Sequence, residues 1–156
     1  MFTVEVRAGR LIEARIEGLR NLERAAAYSG AFSQILQKAP AKERMILCAD
    51  HRAVAVYPQQ VTNELASLFG AMNQRLQRIA LLVAPSNATL TMQLSRIVRE
   101  AQNPERRVFF VMEEAETFLG EVLTVVERSR LAQFLRSEPT PAPSSRYRSP
   151  STRPRY

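Results

Sequence analysis

Asp50 and His51, adjacent in the segment RMILCADHR, bring an acid and an imidazole close to a thiol, Cys48, and so mark the place where nucleophilic or acid–base chemistry is most plausible. That chemistry needs a Ser or Cys within hydrogen-bond reach of the histidine, whereas Cys48 alternates onto a strand face where burial is expected. The chain has one cysteine and one histidine, which excludes an internal disulfide and a Cys-based metal cage. Glu113, Glu114 and Glu116 form an acidic cluster, but acids crowded at a helix start complement the dipole and stay solvated more often than they bind metal. Gly9, Gly18, Gly30, Gly70 and Gly120 are scattered and make neither GxGxxG nor a P-loop, so nucleotide binding is disfavoured. Met45, Met72, Met92 and Met112 fall in periodic segments and read as packing. The expectation is a protein that is not an enzyme, with no catalytic residue, metal or cofactor assigned.

A second chemistry lies at the end of the chain. SRYRSPSTRPRY interleaves Arg146, Arg148, Arg153 and Arg155 with Tyr147 and Tyr156, a pattern in which guanidinium groups meet phosphates and rings stack on bases or on a partner. From Arg136 to Tyr156 five arginines face one acid, Glu138, so +4 of the formal +7 belongs to this end and +3 to the rest. The same stretch holds five of the nine prolines and no aliphatic residue larger than alanine, and a disordered basic tail over 136–156 is expected. Arg146, Tyr147, Arg148, Arg153 and Arg155 are its candidate contacts to nucleic acid or another anionic surface.

The elements that must position Asp50 and His51 follow from periodicity. With 156 residues there is room for one core, expected over 1–135. FTVEV and LIEARIE, separated at Ala8-Gly9, read as a hairpin. NLERAAAYSGAFSQILQKAP reads as a helix capped by Asn21 and stopped before Pro40, with Leu22, Ala26, Ser29, Phe32 and Leu36 inward; Gly30 weakens it, which a close approach to the sheet would explain. RMILCAD is a strand buried on both faces. The segment PQQVTNELASLFGAMNQRL predicts a helix opened by Pro58, with Val61, Leu65, Leu68, Met72 and Leu76 on one stripe. RIALLVAP is another strand, and a helix capped by Ser86 or Asn87 then buries Leu90, Leu94, Ile97 and Ala101. RRVFFVM is the last strand, and one final helix runs from about Glu113 to Phe134. The order β-β-α-β-α-β-α-β-α implies an α/β fold: a five-stranded mixed sheet, mainly parallel, with an N-terminal hairpin. Strands that add in sequence order would wind into a βα superhelix. No run is long and apolar enough for a membrane span. The start, MFTVEVRAGR, places charges where a signal peptide needs its apolar centre, so a cytoplasmic location is expected.

The hairpin FTVEVRAGRLIEARIEGL, the strands RMILCAD and RIALLVAP, and the closing RRVFFVMEEAETFL resemble in order and spacing the SpoIIAA-like superfamily, which includes STAS domains and the stand-alone STAS/SEC14-like proteins of bacteria. The likeness covers about residues 2 to 135. It implies a regulatory or scaffold module that binds a protein partner, and in the family a serine following an Asp at the helix start after the third strand is commonly phosphorylated. Here Tyr57 and Pro58 occupy that place and Thr62 is the nearest hydroxyl, one turn into the helix, so the phosphate switch is not expected to carry over. The candidate partner surface is Asp50, His51, Arg52, Tyr57, Gln59 and Thr62, at the carboxyl edge of the sheet where open α/β proteins place their sites. Two alternatives stay open: a small-ligand or lipid carrier like the SEC14-like relatives, and a nucleic-acid adaptor acting through the tail. A homodimer is also left open.

Overall fold

A computed structural model describes residues 1–137. Of the basic tail expected over 136–156, only Arg136, which ends the last helix, and Ser137 are described; its candidate contacts Arg146, Tyr147, Arg148, Arg153 and Arg155 lie outside the described residues. Within them the elements are β1 (Phe2–Ala8), β2 (Leu11–Ile16), α1 (Leu22–Lys38), β3 (Met45–Asp50), α2 (Gln59–Met72), β4 (Leu76–Leu82), α3 (Ala88–Ala101), β5 (Arg106–Phe109), α4 (Met112–Gly120) and α5 (Val125–Arg136). The strands form one five-stranded sheet in the order β1-β2-β3-β4-β5. β1 pairs antiparallel with β2, and every other pairing is parallel. No described helix is long and apolar enough to cross a membrane.

Because each parallel strand adds on the same side of the last, the connecting helices α1, α2 and α3 all pack on one face. Ile12, Ala14, Ile16, Leu47, Ala49, Leu81 and Val83 meet Tyr28, Phe32, Leu65, Phe69, Leu90 and Leu94 there in a continuous core. The other face would stand open after β5, and α4 and α5 turn back to cover it. They bury Leu11, Ile46, Cys48, Ala80 and Leu82 under Ala115, Phe118, Leu119, Leu131, Phe134 and Leu135. β3 lies between the two cores with all six residues buried, as its unbroken apolar run predicts.

The elements depart from the sequence reading in four places, and Met92, read as packing, instead stands 74% exposed. The closing helix is two helices: α4 ends at Gly120, and Thr124 caps α5 through a reciprocal capping box with Glu127. The sequence Thr-Val-Val-Glu carries that signal within an otherwise continuous apolar period. The helix expected to run to Leu76 stops at Met72, and Leu76 opens β4. The last strand is shorter than RRVFFVM, ending at Phe109, with Met112 already in α4. Finally, α1 is rotated relative to the expected stripe, burying Ala25, Tyr28 and Phe32 and leaving Leu22 half exposed. Tyr28 decides the rotation, because its ring stacks edge-on against both Phe2 and Phe32 at centroid distances of 5.3 and 5.0 Å.

Two glycines have opposite roles. Gly9, in the hairpin turn, has φ +51°, and a Cβ added there would overlap the Glu127 carboxylate. That carboxylate accepts from the Arg10 backbone N–H at 2.5 Å, so the hairpin turn is fastened to the first turn of α5. Gly30 instead lies on an exposed helical surface with open space where a Cβ would go, so it marks no close approach to the sheet. Urea unfolding should therefore show Gly30→Ala stabilising the protein by about 0.5–1 kcal/mol through helix propensity. Gly9→Ala should destabilise it by about 2 kcal/mol, from left-handed backbone strain and loss of the Glu127 contact.

Candidate functional site

The parallel register of β2 and β3 sets Arg15 beside Asp50, on the face covered by α5 and at the carboxyl end of both strands. There the Asp50 carboxylate accepts from Arg15 Nε at 3.2 Å. Arg52 Nε and Nη2 donate to it at 2.9 and 3.0 Å, and the Arg52 backbone N–H at 3.0 Å. Burial alone would raise the Asp50 pKa, but the bonds and charge of Arg52, with the charge of Arg15, outweigh it and hold the carboxyl below its ordinary value. The same arginines reach across to the end of α5: Arg15 Nη2 donates to the Phe134 carbonyl at 2.5 Å, and Arg52 Nη2 to the Leu135 carbonyl at 2.9 Å. Cations are thus placed where a helix leaves carbonyls unpaired and its dipole is negative. Arg15 also stacks over the Phe134 ring, 4.5 Å from its centroid, and donates to the Ser137 hydroxyl.

Around this knot opens a pocket of about 460 Å³, lined by Arg15, Ile16, Asp50, Arg52, Ala53, Met112, Leu135, Arg136 and Ser137. Its position outside the carboxyl ends of parallel strands is where open α/β sheets bind ligands. Arg136 forms an ion pair with Glu116 of α4 through Nη1, which also donates to the Ala132 carbonyl. Phe110 and Val111, just before Met112, each stand 44% exposed, and Val56 in the loop after β3 is 52% exposed. The carboxyl edge therefore combines fixed guanidinium groups with apolar side chains open to water.

The six residues singled out from the sequence divide into an interior set and a surface set. Asp50 is buried in its ion pairs, and His51 and Tyr57 are buried together with the Tyr57 hydroxyl 2.9 Å from His51 Nδ1. Thr62 is also buried and donates its hydroxyl to the Gln59 carbonyl at 2.7 Å, so neither a partner nor a phosphate meets it at the surface. Arg52 is half-buried and Gln59 exposed, and these two can be touched from outside. The loop holding Tyr57 is locked to α3 by Gln93, whose side chain accepts from the Tyr57 N–H at 3.0 Å and donates to its carbonyl at 2.8 Å. Sequence reading missed Arg15 and Arg136. Arg15 is itself a polar member of an alternating strand and looks solvated, and only the register with Asp50 gives it a buried partner. Arg136 was assigned to the tail rather than to α5.

His51 and Cys48 are held in their uncharged forms. Burial lowers the His51 pKa to about 4 against the opposing pull of the Asp50 charge, and burial pushes the Cys48 thiol above its ordinary value. No group of three or more His, Cys, Asp and Glu able to hold a metal occurs among the described residues. Compared with models of known families, with curated proteins and with solved structures, the chain matches none. What the fold and site define is a class: an α/β domain with a sequential mixed sheet and a basic pocket at its carboxyl edge.

Two predictions follow from these charges. His51 binds a proton less readily folded than unfolded, so the unfolded state takes up more protons between pH 6.5 and about 4, and stability declines as pH falls through that window. The decline should reach about 3 kcal/mol and be largely removed in His51→Gln. What remains in the variant should be the loss below the carboxylate range, where protonation removes the stability carried by Asp50 and Glu127, both of depressed pKa. Parallel urea-unfolding curves for the two proteins across the window would rule out His51 as the buried neutral group. Asp50→Ala, which leaves Arg15 and Arg52 without their shared counter-charge, should lower the unfolding free energy by about 3 kcal/mol in the same assay.

Proposed function

We propose that the chain is a non-catalytic regulatory or scaffold module of the SpoIIAA-like, STAS type, acting in the cytoplasm by binding a protein partner at the carboxyl edge of its sheet. The observation that carries this reading is the state of the polar groups at that edge. Asp50 is saturated by two arginines. His51 is buried, neutral at physiological pH and turned to Tyr57. Groups so committed hold a surface in shape, and a general base must instead reach a substrate. The surface they hold presents Arg52, Val56, Gln59, Phe110 and Val111, the mixture of exposed apolar and arginine side chains found in protein interfaces.

The sheet with one antiparallel edge, its strands in sequence order and three consecutive crossover helices on one face, supports the SpoIIAA-like assignment. Large side chains, among them Tyr28, Phe32, Leu65 and Phe69, fill the space between sheet and helices, which favours surface docking over an apolar ligand held inside.

Val56→Asp combined with Gln59→Lys changes two exposed side chains and should leave the circular dichroism and urea midpoint near those of the parent. In an affinity capture from native lysate with nuclease, a specific protein retained by the parent should be lost from the double variant. Retention of every captured protein by a folded double variant would refute this edge as the interface. Capture abolished by nuclease, or by removing residues 138–156 alone, would transfer the function to the basic end of the chain.

A further inference from the structure

We infer that two copies of this chain pair through the outer edge of β1, antiparallel and centred on Val4, so that their sheets join into one. Sheet order leaves β1 and β5 as the edges, and among the described residues no strand pairs with the outer side of either. β5 is only four residues long and carries Arg106 and Arg107, which suits an edge that stays closed to other chains. β1 has seven residues and neither lysine nor proline. Its register shift, a device that turns an edge away from a template, comes only after Val6. Phe2 to Val6 therefore forms a regular, open strand edge.

The backbone fixes which groups face outward. The Glu17 N–H donates to the Met1 carbonyl at 2.9 Å, and Phe2 stands opposite Ile16. Met1, Thr3 and Glu5 thus turn their polar groups to β2, while the N–H and C=O of Phe2, Val4 and Val6 point away from it. A two-fold pairing must set these outward groups against one another. Centring on Thr3 leaves Val6 without an opposite residue, centring on Glu5 sets that carboxylate against itself, and centring on Val6 carries the ladder across the register shift. Centring on Val4 avoids all of these. It pairs Phe2 with Val6 and Val4 with Val4 through regular backbone bonds, and sets exposed Thr3 opposite Glu5, where the hydroxyl can donate to the carboxylate. FTVEV is in this way complementary to itself, apolar against apolar on one face and donor against acceptor on the other. Arg7 lies past the shift and keeps its own pair with Glu5 at 3.2 Å.

The side chains favour the same register. Val6 is 39% exposed and lines a groove of about 330 Å³ with Ile35, Ala39 and Met45. Phe2 of the second copy, opposite Val6, meets this apolar surface, and an aromatic ring against a β-branched side chain is a favourable cross-strand pair. α1 runs along β1, with Tyr28 against Phe2 and Ile35 beside the Val6 groove, yet it leaves Val6 open and so does not cap the edge. The seam uses none of Arg52, Val56, Gln59, Phe110 and Val111, so it stands or falls apart from the partner-binding reading.

Sedimentation velocity of the full chain at submillimolar concentration should give the mass of a dimer. Val6→Lys, which sets a charge against Phe2 of the second copy, should weaken dimerisation at least about ten-fold while leaving the urea midpoint near that of the parent. Disulfide formation reads the register. An equimolar mixture of full-length Thr3→Cys and Glu5→Cys chains should cross-link on mild oxidation, because those positions face each other as a closely spaced, non-hydrogen-bonded pair, and neither variant alone should do so. Cys48 is buried and does not compete. A monomer mass for the parent, a dimer undiminished by Val6→Lys, a mixture that stays uncross-linked, or cross-linking of either cysteine variant by itself would each overturn the pairing.

Discussion

The Asp50 carboxylate is the point on which the carboxyl end of this fold depends. It sits at the last residue of the most enclosed strand, and a charge in that position is tolerable only because Arg15 and Arg52 close on it from two directions. The same two side chains reach on to the Phe134 and Leu135 carbonyls, so a single ion-pair cluster fixes the ends of β2 and β3, the loop that follows and the last turn of α5. At the opposite end of α5, Glu127 joins the helix cap to the hairpin turn, its oxygens accepting from the Thr124 and Arg10 backbone N–H groups. Between them Arg130 pairs with buried Glu13 at 2.6 and 2.7 Å.

These contacts make the two faces of the sheet physically unlike. The face under α1, α2 and α3 is held by apolar packing, with aromatic rings at its centre. The face under α4 and α5 has a narrower apolar strip flanked by Glu13, Arg15, Asp50 and Arg78, each engaged by a helix or a loop. Arg78 pairs with Glu105 and Glu121, donates to the Phe118 carbonyl and lies over the Phe118 ring. Guanidinium–carboxylate hydrogen bonds are directional where apolar contacts are not, so on this second face they add orientation to the packing of the last two helices. Among buried charges Arg106 differs: it donates to the Phe69 carbonyl and lies over the Phe69 ring with no ion pair among the described residues, and burial lowers its pKa to about 10, still leaving it charged at neutral pH.

A functional surface on such a scaffold gains from rigidity. The loop after β3 is pinned by the Tyr57–His51 contact, by Gln93 and by Asn87, whose amide donates to the Val54 and Ala55 carbonyls. Ordering this loop in advance lowers the entropy that any contact made with it would cost.

The sequence by itself determined the order of the elements up to the closing helical segment, the antiparallel hairpin, the buried character of β3 and the Asn21 cap, and it narrowed the α3 cap to Ser86 or Asn87, because each rests on local periodicity, turn chemistry or short-range hydrogen bonding. It also pointed to the carboxyl edge through Asp50. Only the tertiary structure decided that Asp50, His51, Tyr57 and Thr62 face inward while Arg15 and Arg136 complete the pocket. The register between β2 and β3 brings residues 15 and 50 together, and the return of α5 over the second face brings residue 136 to the same place. Those are pairings between distant parts of the chain, and an ion pair across such a distance leaves no periodic trace in either segment. The break between α4 and α5 was the intermediate case: its capping signal was local, but it took the need to fold back over an open sheet face to turn that signal into a helix boundary.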